Sequence, residues 1–273
     1  AGFKWWALII AVVFVISETV CVLCVPERPV KMDGSSNGIL DMFKALIHND
    51  QAMTVVASII LVYTSINICG NLILYFFKFD VGNEGAYSVF AAVVFAAQVL
   101  VMMIVPALRR KFTKFELFIF GFIIQIAGFA MMLLLAVSGI YTSDNWYVFC
   151  LPGCMVYIGY GILNVIMTIF LSDSVDYGEV KNETREESVI FSMQTFTVKL
   201  ASGLAIFLAG IIVDVIKLDK NAQVQSQSTL NGLRMWMTIP SVILLIIGII
   251  IFKKFYKLNE QKMNEIKAKL KLK

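Results

Sequence analysis

The chain has 273 residues, of which 59% are apolar and 15% are charged, and its net charge is +4. Ordinary soluble domains carry about 25% charged residues, so this composition excludes a soluble globular domain and indicates an integral membrane protein. Most basic residues lie in connecting segments and in the tail, which is a sign of membrane topology and not of nucleic-acid binding.

Seven stretches are apolar over a length that crosses about 30 Å of hydrocarbon. A membrane β-barrel would instead need alternating segments of about ten residues, whereas these runs are apolar on all sides. The sequence therefore predicts an all-α membrane protein. The predicted spans are residues 3–25, 52–79, 86–108, 115–140, 146–171, 188–216 and 233–255.

The distribution of Lys and Arg predicts the orientation of these spans. With residue 1 outside, 17 of the 23 basic residues fall on the inner side and 5 on the outer side, and Lys199 lies within a span. Because positive loops stay in the cytosol, we expect the C-terminus to be cytosolic in a plasma (inner) membrane.

The first connection, residues 26–51, is long and begins with a segment rich in Pro, Gly and Ser. Residues 38–48 place their apolar side chains on one helical face, with Ser36 or Asn37 as a cap, and this predicts an interfacial helix on the cytosolic surface. The tail 253–273 is amphipathic and rich in lysine, so we expect it to lie against anionic lipid headgroups.

Polar side chains form a stripe along the second span. Tyr63, Asn67, Asn71 and Tyr75 recur every four residues, which confines them to about 120° of the helix surface. Two interpretations stay open: the asparagines join neighbouring helices, or Tyr63, Asn67 and Asn71 line a cavity for a hydroxylated substrate.

An acidic segment, predicted to be a loop, follows the fifth span. Asp173 and Asp176 are three residues apart and so share one helical face. We expect them to form ion pairs with a neighbouring bundle that hold a cytosolic gate shut, with Gly178 as a helix C-cap or hinge. The candidate gate residues are Asp173, Asp176, Tyr177, Glu179 and Arg185.

The sixth span carries a lysine at membrane depth, which costs roughly 2.5–3.5 kcal/mol on insertion scales. Gln194, Thr195, Val198, Lys199 and Ser202 all lie on one face of this helix, and the opposite face is apolar. Such a face lines a water-filled path, where Gln and Thr bond sugar hydroxyls. The alternative is that Lys199 pairs with a buried acid of another helix for packing alone.

The sequence contains no nucleophile–base pair, no phosphate-binding loop and no set of metal ligands. Cys21 and Cys24 form a CxxC pair, but no second Cys or His pair completes a zinc site. We therefore expect neither an enzyme nor a resident cofactor or metal.

The segment LSDSVDYGEVKNETREESVIFSMQTFTVKLASG, residues 171–203, resembles the signature of the glycoside–pentoside–hexuronide:cation symporters, the family of the melibiose carrier. That pattern is a D-x-V-D-Y-G-E segment, an R-x-E, and a Q-T-x-x-V-K face, matched here by residues 173–179, 185–187 and 194–199. HNDQ at 48–51, NICGNLILYFF at 67–77 and FYKLNE at 255–260 also resemble family segments.

The resemblance implies a twelve-helix major facilitator fold of which this chain matches helices 6–12. Residues 1–25 would end the N-terminal half, 26–51 form the middle loop, 52–257 the C-terminal six-helix bundle and 258–273 the cytosolic tail. It implies sugar symport driven by Na⁺, H⁺ or Li⁺, with the cation bound mainly by the missing N-terminal helices. Lys199 and Thr195 would lie near the cation site. The implied sugar-binding residues are Gln194, Thr195, Val198, Lys199 and Asn164, the last where the melibiose carrier has an aromatic residue.

Three other hypotheses remain at this stage. A protein of the same fold could carry a non-sugar solute such as a lipid, or a truncated carrier could be inactive. A seven-helix retinal photoreceptor would use Lys199 as a Schiff base. That lysine would be expected in the last span, whereas Lys199 is in the sixth.

Overall fold

The computed structural model describes residues 2–24, 46–182, 187–220, 222 and 224–271. This part of the chain contains helices and no β-strand, and seven of the helices are long and apolar enough to cross a membrane. The predicted all-α class and the seven spans are confirmed.

The helices follow the predicted spans closely in number and order. They are α1 (Gly2–Cys24), α2 (Asp50–Tyr75, continued by a π-helical turn, Phe76–Asp80), α3 (Glu84–Leu108), α4 (Lys114–Ser138), a 3₁₀ turn (Trp146–Phe149) leading into α5 (Cys150–Asn182), α6 (Glu187–Val215), α7 (Gln227–Phe255) and the short α8 (Glu260–Lys271). The chain divides into two compact units, residues 1–38 with α1 and residues 39–273 with α2–α8.

The second unit is a helical bundle in which α2 packs against α5, α6 and α7. The close pairing of α4 with α5 depends on glycine. A Cβ at Gly159 would lie 2.6 Å from the carbonyl oxygen of Gly121, and one at Gly128 would lie 2.7 Å from the backbone nitrogen of Val156. Small residues therefore bring these two backbones together, as is common between membrane helices.

The helix ends are set by local side-chain caps. Asn49 accepts from the backbone N–H of Ala52 at the start of α2, at 3.0 Å. Thr113 and Glu116 form a reciprocal capping box at the start of α4. Ser226 accepts from Thr229 N–H at 3.1 Å, so α7 begins at Gln227 and not at residue 233 as predicted. Each cap satisfies a backbone N–H that the helix itself leaves open.

The predicted acidic loop after the fifth span is wrong, because α5 continues through residues 173–179 and ends at Asn182. Asp173 and Val175 are buried in this extension, so packing against the bundle stabilises helix where the composition suggested loop. Gly178 is not a C-cap. It lies against Asn49, whose Nδ2 would be 2.7 Å from a Cβ at position 178.

The tail packs on protein through apolar side chains. Leu258 and Met263 are buried, and α8 packs on the end of α5. Lys262, Lys267 and Lys269 are exposed, and their contact with lipid headgroups stays a prediction. Gln51 ties the preceding turn to α2 by accepting from Lys257 N–H at 2.7 Å. Of the predicted interfacial helix, residues 46–48 are helical, and residues 38–45, with the proposed caps, lie outside the described residues.

Candidate functional site

The bundle has two ends that differ in charge. At one end, here called the basic end, α2 begins at Asp50 and α5 and α7 finish, and α8 packs there. At the other end, here called the far end, α2 finishes at Asp80 and α7 begins. The candidate site lies between these ends, where α2, α5 and α6 meet.

Four polar side chains from these three helices form a connected cluster, here called the mid-depth cluster: Tyr63 of α2, Asn164 and Thr168 of α5, and Gln194 of α6. The Asn164 amide donates to the Tyr63 hydroxyl. The Thr168 hydroxyl donates to the backbone carbonyl of Asn164 at 3.0 Å and accepts from Gln194 Nε2 at 3.2 Å. All four are half-buried, so the cluster is both organised and accessible.

The cluster has the chemistry to bind a hydroxylated solute. A side-chain amide both accepts and donates, and a hydroxyl does the same, which matches the two roles of a sugar hydroxyl. Among the described residues, the side-chain carbonyl oxygens of Asn164 and Gln194 have no hydrogen-bond donor and are available to a ligand. The ring of Tyr160 packs edge-on against the ring of Tyr63, and the two ring centroids are 5.4 Å apart.

The structure thus brings Tyr63 of the α2 stripe together with Asn164 and Gln194, two of the sugar-binding residues that the resemblance implied. It adds Thr168, which the sequence did not predict. The signal available for Thr168 was its position four residues after Asn164, one turn along the same face of α5.

Three other predicted site residues continue along α6. Val198 is half-buried and Thr195 is exposed, and the Thr195 hydroxyl donates to its own helix at Phe191 O, 3.3 Å away. Lys199 is exposed and makes no hydrogen bond or ion pair with any other described residue. The alternative of a packing ion pair for Lys199 is therefore not observed in the described part of the chain.

The two asparagines of the α2 stripe bond their own helix and no other described helix. Asn67 and Asn71 each donate one amide hydrogen, to Tyr63 O and Asn67 O, at 2.7 Å. Asn71 and Tyr75 line a groove of about 400 Å³ against α6, whereas Tyr63 accepts from Asn164 of α5. Both interpretations of the stripe therefore stay predictions.

The predicted gate residues have different environments. Asp173 forms a buried ion pair with Lys114 at the start of α4, so its observed partner lies within the same bundle. The helical extension of α5 is the reason, since it turns Asp173 toward α4. Burial raises the pKa of the adjacent Tyr256 phenol, and the charge of Asp173 raises it further.

Among the remaining gate residues, Tyr177 contacts the start of α2. Tyr177 Oη donates to the Asp50 carboxylate at 3.2 Å, and Lys181 donates to the same group at 2.8 Å. Asp176 and Glu179 are half-buried on the same extension of α5, and Arg185 lies outside the described residues. The basic end is thus tied by contacts between α2 and α5.

An ion pair joins α7 to the end of α2 at the far end, and the sequence did not predict it. Arg234 of α7 donates from Nε and Nη2 to the two carboxylate oxygens of Asp80, each at 2.7 Å. The guanidinium lies 5.8 Å from the ring centroid of Tyr141. Burial raises the pKa of the Tyr141 phenol, and the negative charge of Asp80 adds to the effect.

Comparison with known proteins gives the family. A family model described as MFS/sugar transport protein matches residues 1–260. Similar curated proteins include an uncharacterized symporter, YjmB, of Bacillus subtilis, 29% identical over 82% of this chain and 47% of its own length. The raffinose carrier protein of Pediococcus pentosaceus is 26% identical over 85% of this chain and 36% of its own length. A putative sulfoquinovose importer of Salmonella typhimurium is 26% identical over 96% of this chain and 54% of its own length.

The chain therefore spans about half the length of these relatives, or less. The relatives are named as transporters, and the family match leaves the photoreceptor hypothesis without support. The match also confirms the resemblance noted in residues 171–203. This chain belongs to the MFS/sugar transport protein family and is an integral membrane protein with the helical bundle of the major facilitator type.

Proposed function

We propose that this chain supplies sugar-binding residues to a sugar:cation symporter that works by alternating access. The observation that carries the proposal is the mid-depth cluster, where half-buried polar groups of α2, α5 and α6 converge inside a bundle of apolar helices. Substrate sites of secondary transporters lie near the bilayer midplane in this way. The name of the raffinose carrier supports a glycoside or oligosaccharide as the substrate.

In this proposal the amides of Asn164 and Gln194 bond sugar hydroxyls, and Thr195 and Val198 complete the surface of α6 facing the sugar. Lys199 serves cation coupling. Its exposed ammonium would be costly against lipid, so we place it toward a polar partner, close to a Na⁺, H⁺ or Li⁺ site. That site would be formed mainly by helices preceding this chain.

Alternating access requires the two ends of the path to open in turn. We propose that the basic end faces the cytosol of the plasma membrane, as the distribution of Lys and Arg predicts. Asp176, Tyr177, Glu179 and Arg185 would then contribute to the cytosolic gate. Asp173, paired with Lys114, would hold α4 and α5 together within the moving bundle.

A non-sugar or anionic solute is the second candidate. The exposed ammonium of Lys199, which pairs with no other described residue, favours it, since such a group also suits a carboxylate or sulfonate. The name of the sulfoquinovose importer is consistent with an anionic sugar. A lipid is the remaining non-sugar candidate.

The test is uptake of radiolabelled solutes by the full-length protein in membrane vesicles, with and without a sodium or proton gradient. Raffinose, lactose, a hexuronate and a sulfonated sugar form the panel. Wild type is compared with Lys199→Cys, with Lys253→Cys at the exposed end of α7 as the control. We expect gradient-driven uptake of a sugar that collapses only in Lys199→Cys.

Uptake that does not respond to Lys199→Cys would remove the lysine from coupling. Absence of uptake for every sugar in the panel would contradict the proposed function.

A further inference from the structure

The groove between α2 and α6 at the far end is distinct from the mid-depth cluster. It has a volume of about 400 Å³, and four polar side chains line it: Asn71 and Tyr75 of α2, Asp214 of α6, and Lys220 of the following turn. We call it the far-end groove. Its remaining lining residues are Ile206, Ala209, Gly210 and Val213.

The polar groups of this groove are available to a ligand. Asn71 donates one amide hydrogen to Asn67 O, and no described residue donates to its side-chain carbonyl oxygen. The Asp214 carboxylate makes no hydrogen bond or ion pair with another described residue. Lys220 holds its ammonium 5.8 Å from the ring centroid of Tyr75 instead of pairing with the carboxylate.

This combination selects a class of ligand. A carboxylate and an amide oxygen accept from hydroxyl groups, and an ammonium donates to them. The single negative charge of Asp214 offsets the single positive charge of Lys220, so the groove gives no net attraction to an anion. Vicinal hydroxyls of an uncharged sugar satisfy both groups at once. We propose that the far-end groove is a second binding site, for a neutral polyhydroxylated solute.

The groove lies on the same stripe of α2 as the mid-depth cluster. Tyr63 and Asn71 are eight residues apart, which is about 12 Å along the helix, and Asn67 stands between them. On the facing helix, Gly210 leaves open space, since a Cβ built there meets no atom within 4 Å. A sugar held in the groove is therefore positioned to pass along the stripe to the mid-depth cluster.

This inference rests on the proposed function and on the far end being external. It assigns the groove the role of an entry site, which binds the sugar before the mid-depth cluster does. The charge balance of the groove favours a neutral sugar over a hexuronate or a sulfonated sugar.

The test is protection of a groove cysteine by sugar. Gly210→Cys is introduced into the full-length protein, and its alkylation by a membrane-impermeant maleimide is followed in right-side-out vesicles. Raffinose, or whichever neutral sugar of the panel is taken up, is titrated as the protecting ligand. We expect Asp214→Asn and Lys220→Gln each to raise the sugar concentration that gives half-maximal protection about tenfold. Each substitution removes roughly one hydrogen bond to a charged group.

Two control variants establish whether protection arises in the groove itself. Lys217→Gln, an exposed lysine of the same turn outside the groove, should leave protection unchanged. Gln194→Ala in the mid-depth cluster should lower uptake but preserve protection. A melting temperature within the range of the other variants shows that each protein is folded.

Protection that is lost in Gln194→Ala and unchanged in Asp214→Asn and Lys220→Gln would overturn the entry site while leaving the proposed function intact. Labelling that occurs only in inside-out vesicles would overturn it as well. Absence of sugar uptake by the wild type would overturn the proposed function and this inference together.

Discussion

The ion pair between Asp80 and Arg234 gives the most direct prediction about stability. The Asp80 side chain is 2% exposed and that of Arg234 is 12% exposed, and two hydrogen bonds of 2.7 Å join them. Arg234→Gln would leave the Asp80 carboxylate buried without its charge partner. Removing one member of a buried pair costs about 3–5 kcal/mol, much of it from the unpaired charge.

The assay is the free energy of unfolding of the full-length protein in detergent micelles, followed by tryptophan fluorescence. We expect Arg234→Gln and Asp80→Asn each to lower it by about 3–5 kcal/mol. The double variant Asp80→Leu/Arg234→Met should recover part of this loss, because it leaves no buried charge unpaired.

Lys78 and Glu84 provide a matched control at the same end. Their ion pair is longer, 3.9 Å, and both side chains are well exposed, at 41% and 61%. Lys78→Gln should therefore change the unfolding free energy by less than about 1 kcal/mol. A loss in Arg234→Gln no larger than that in Lys78→Gln would refute the reasoning, since it would mean that the Asp80 pair is solvated.

Three smaller predictions follow from packing and capping. Gly159→Ala should lower the yield of folded protein, because its Cβ would clash with Gly121 O. Gly203→Ala should leave the yield unchanged, because a Cβ there meets open space. Detergent gel filtration measures the yield of both variants. Ser226→Ala should lower the unfolding free energy by about 1 kcal/mol through loss of the α7 cap, and an equal value to wild type would contradict that role. Gln51→Leu removes the bonds to Phe255 O and Lys257 N, so trypsin should cleave the α7–α8 turn faster.

The membrane spans were predictable because bilayer thickness imposes one strong requirement, a long apolar run. The face of α6 that carries Gln194 and Lys199 was predictable for a similar reason, since helical periodicity fixes which residues share a face. In both cases the information is local to one helix. The structure brings Gln194 of that face next to Thr168 of α5 and leaves Thr195 and Lys199 exposed.

The end of α5 was not predictable from composition. Its acidic residues favour a loop when read alone, but contacts with Lys114 and Asn49 extend the helix to Asn182. The tail posed a related ambiguity, because an apolar stripe fits a lipid surface and a protein surface equally well. The burial of Met263 shows that this apolar stripe packs on protein.

The ion pair of Asp80 with Arg234 could not be predicted from the sequence. The two residues are 154 positions apart, and each reads as an ordinary loop charge in the sequence. Thr168 was missed because a single threonine in an apolar span gives no pattern. Contacts of this kind are set by how helices pack, and the periodicity of a single sequence carries little information about that.

The proposal that the mid-depth cluster binds sugar is tested most directly by equilibrium binding of a labelled sugar to the purified full-length protein. Wild type is compared with Asn164→Ala and Gln194→Ala, and with Gln98→Ala on α3 as a control outside the cluster. Loss of one to two hydrogen bonds predicts a dissociation constant about tenfold weaker in both cluster variants and unchanged in the control. Equal affinity in all four proteins would contradict a sugar site at the junction of α2, α5 and α6.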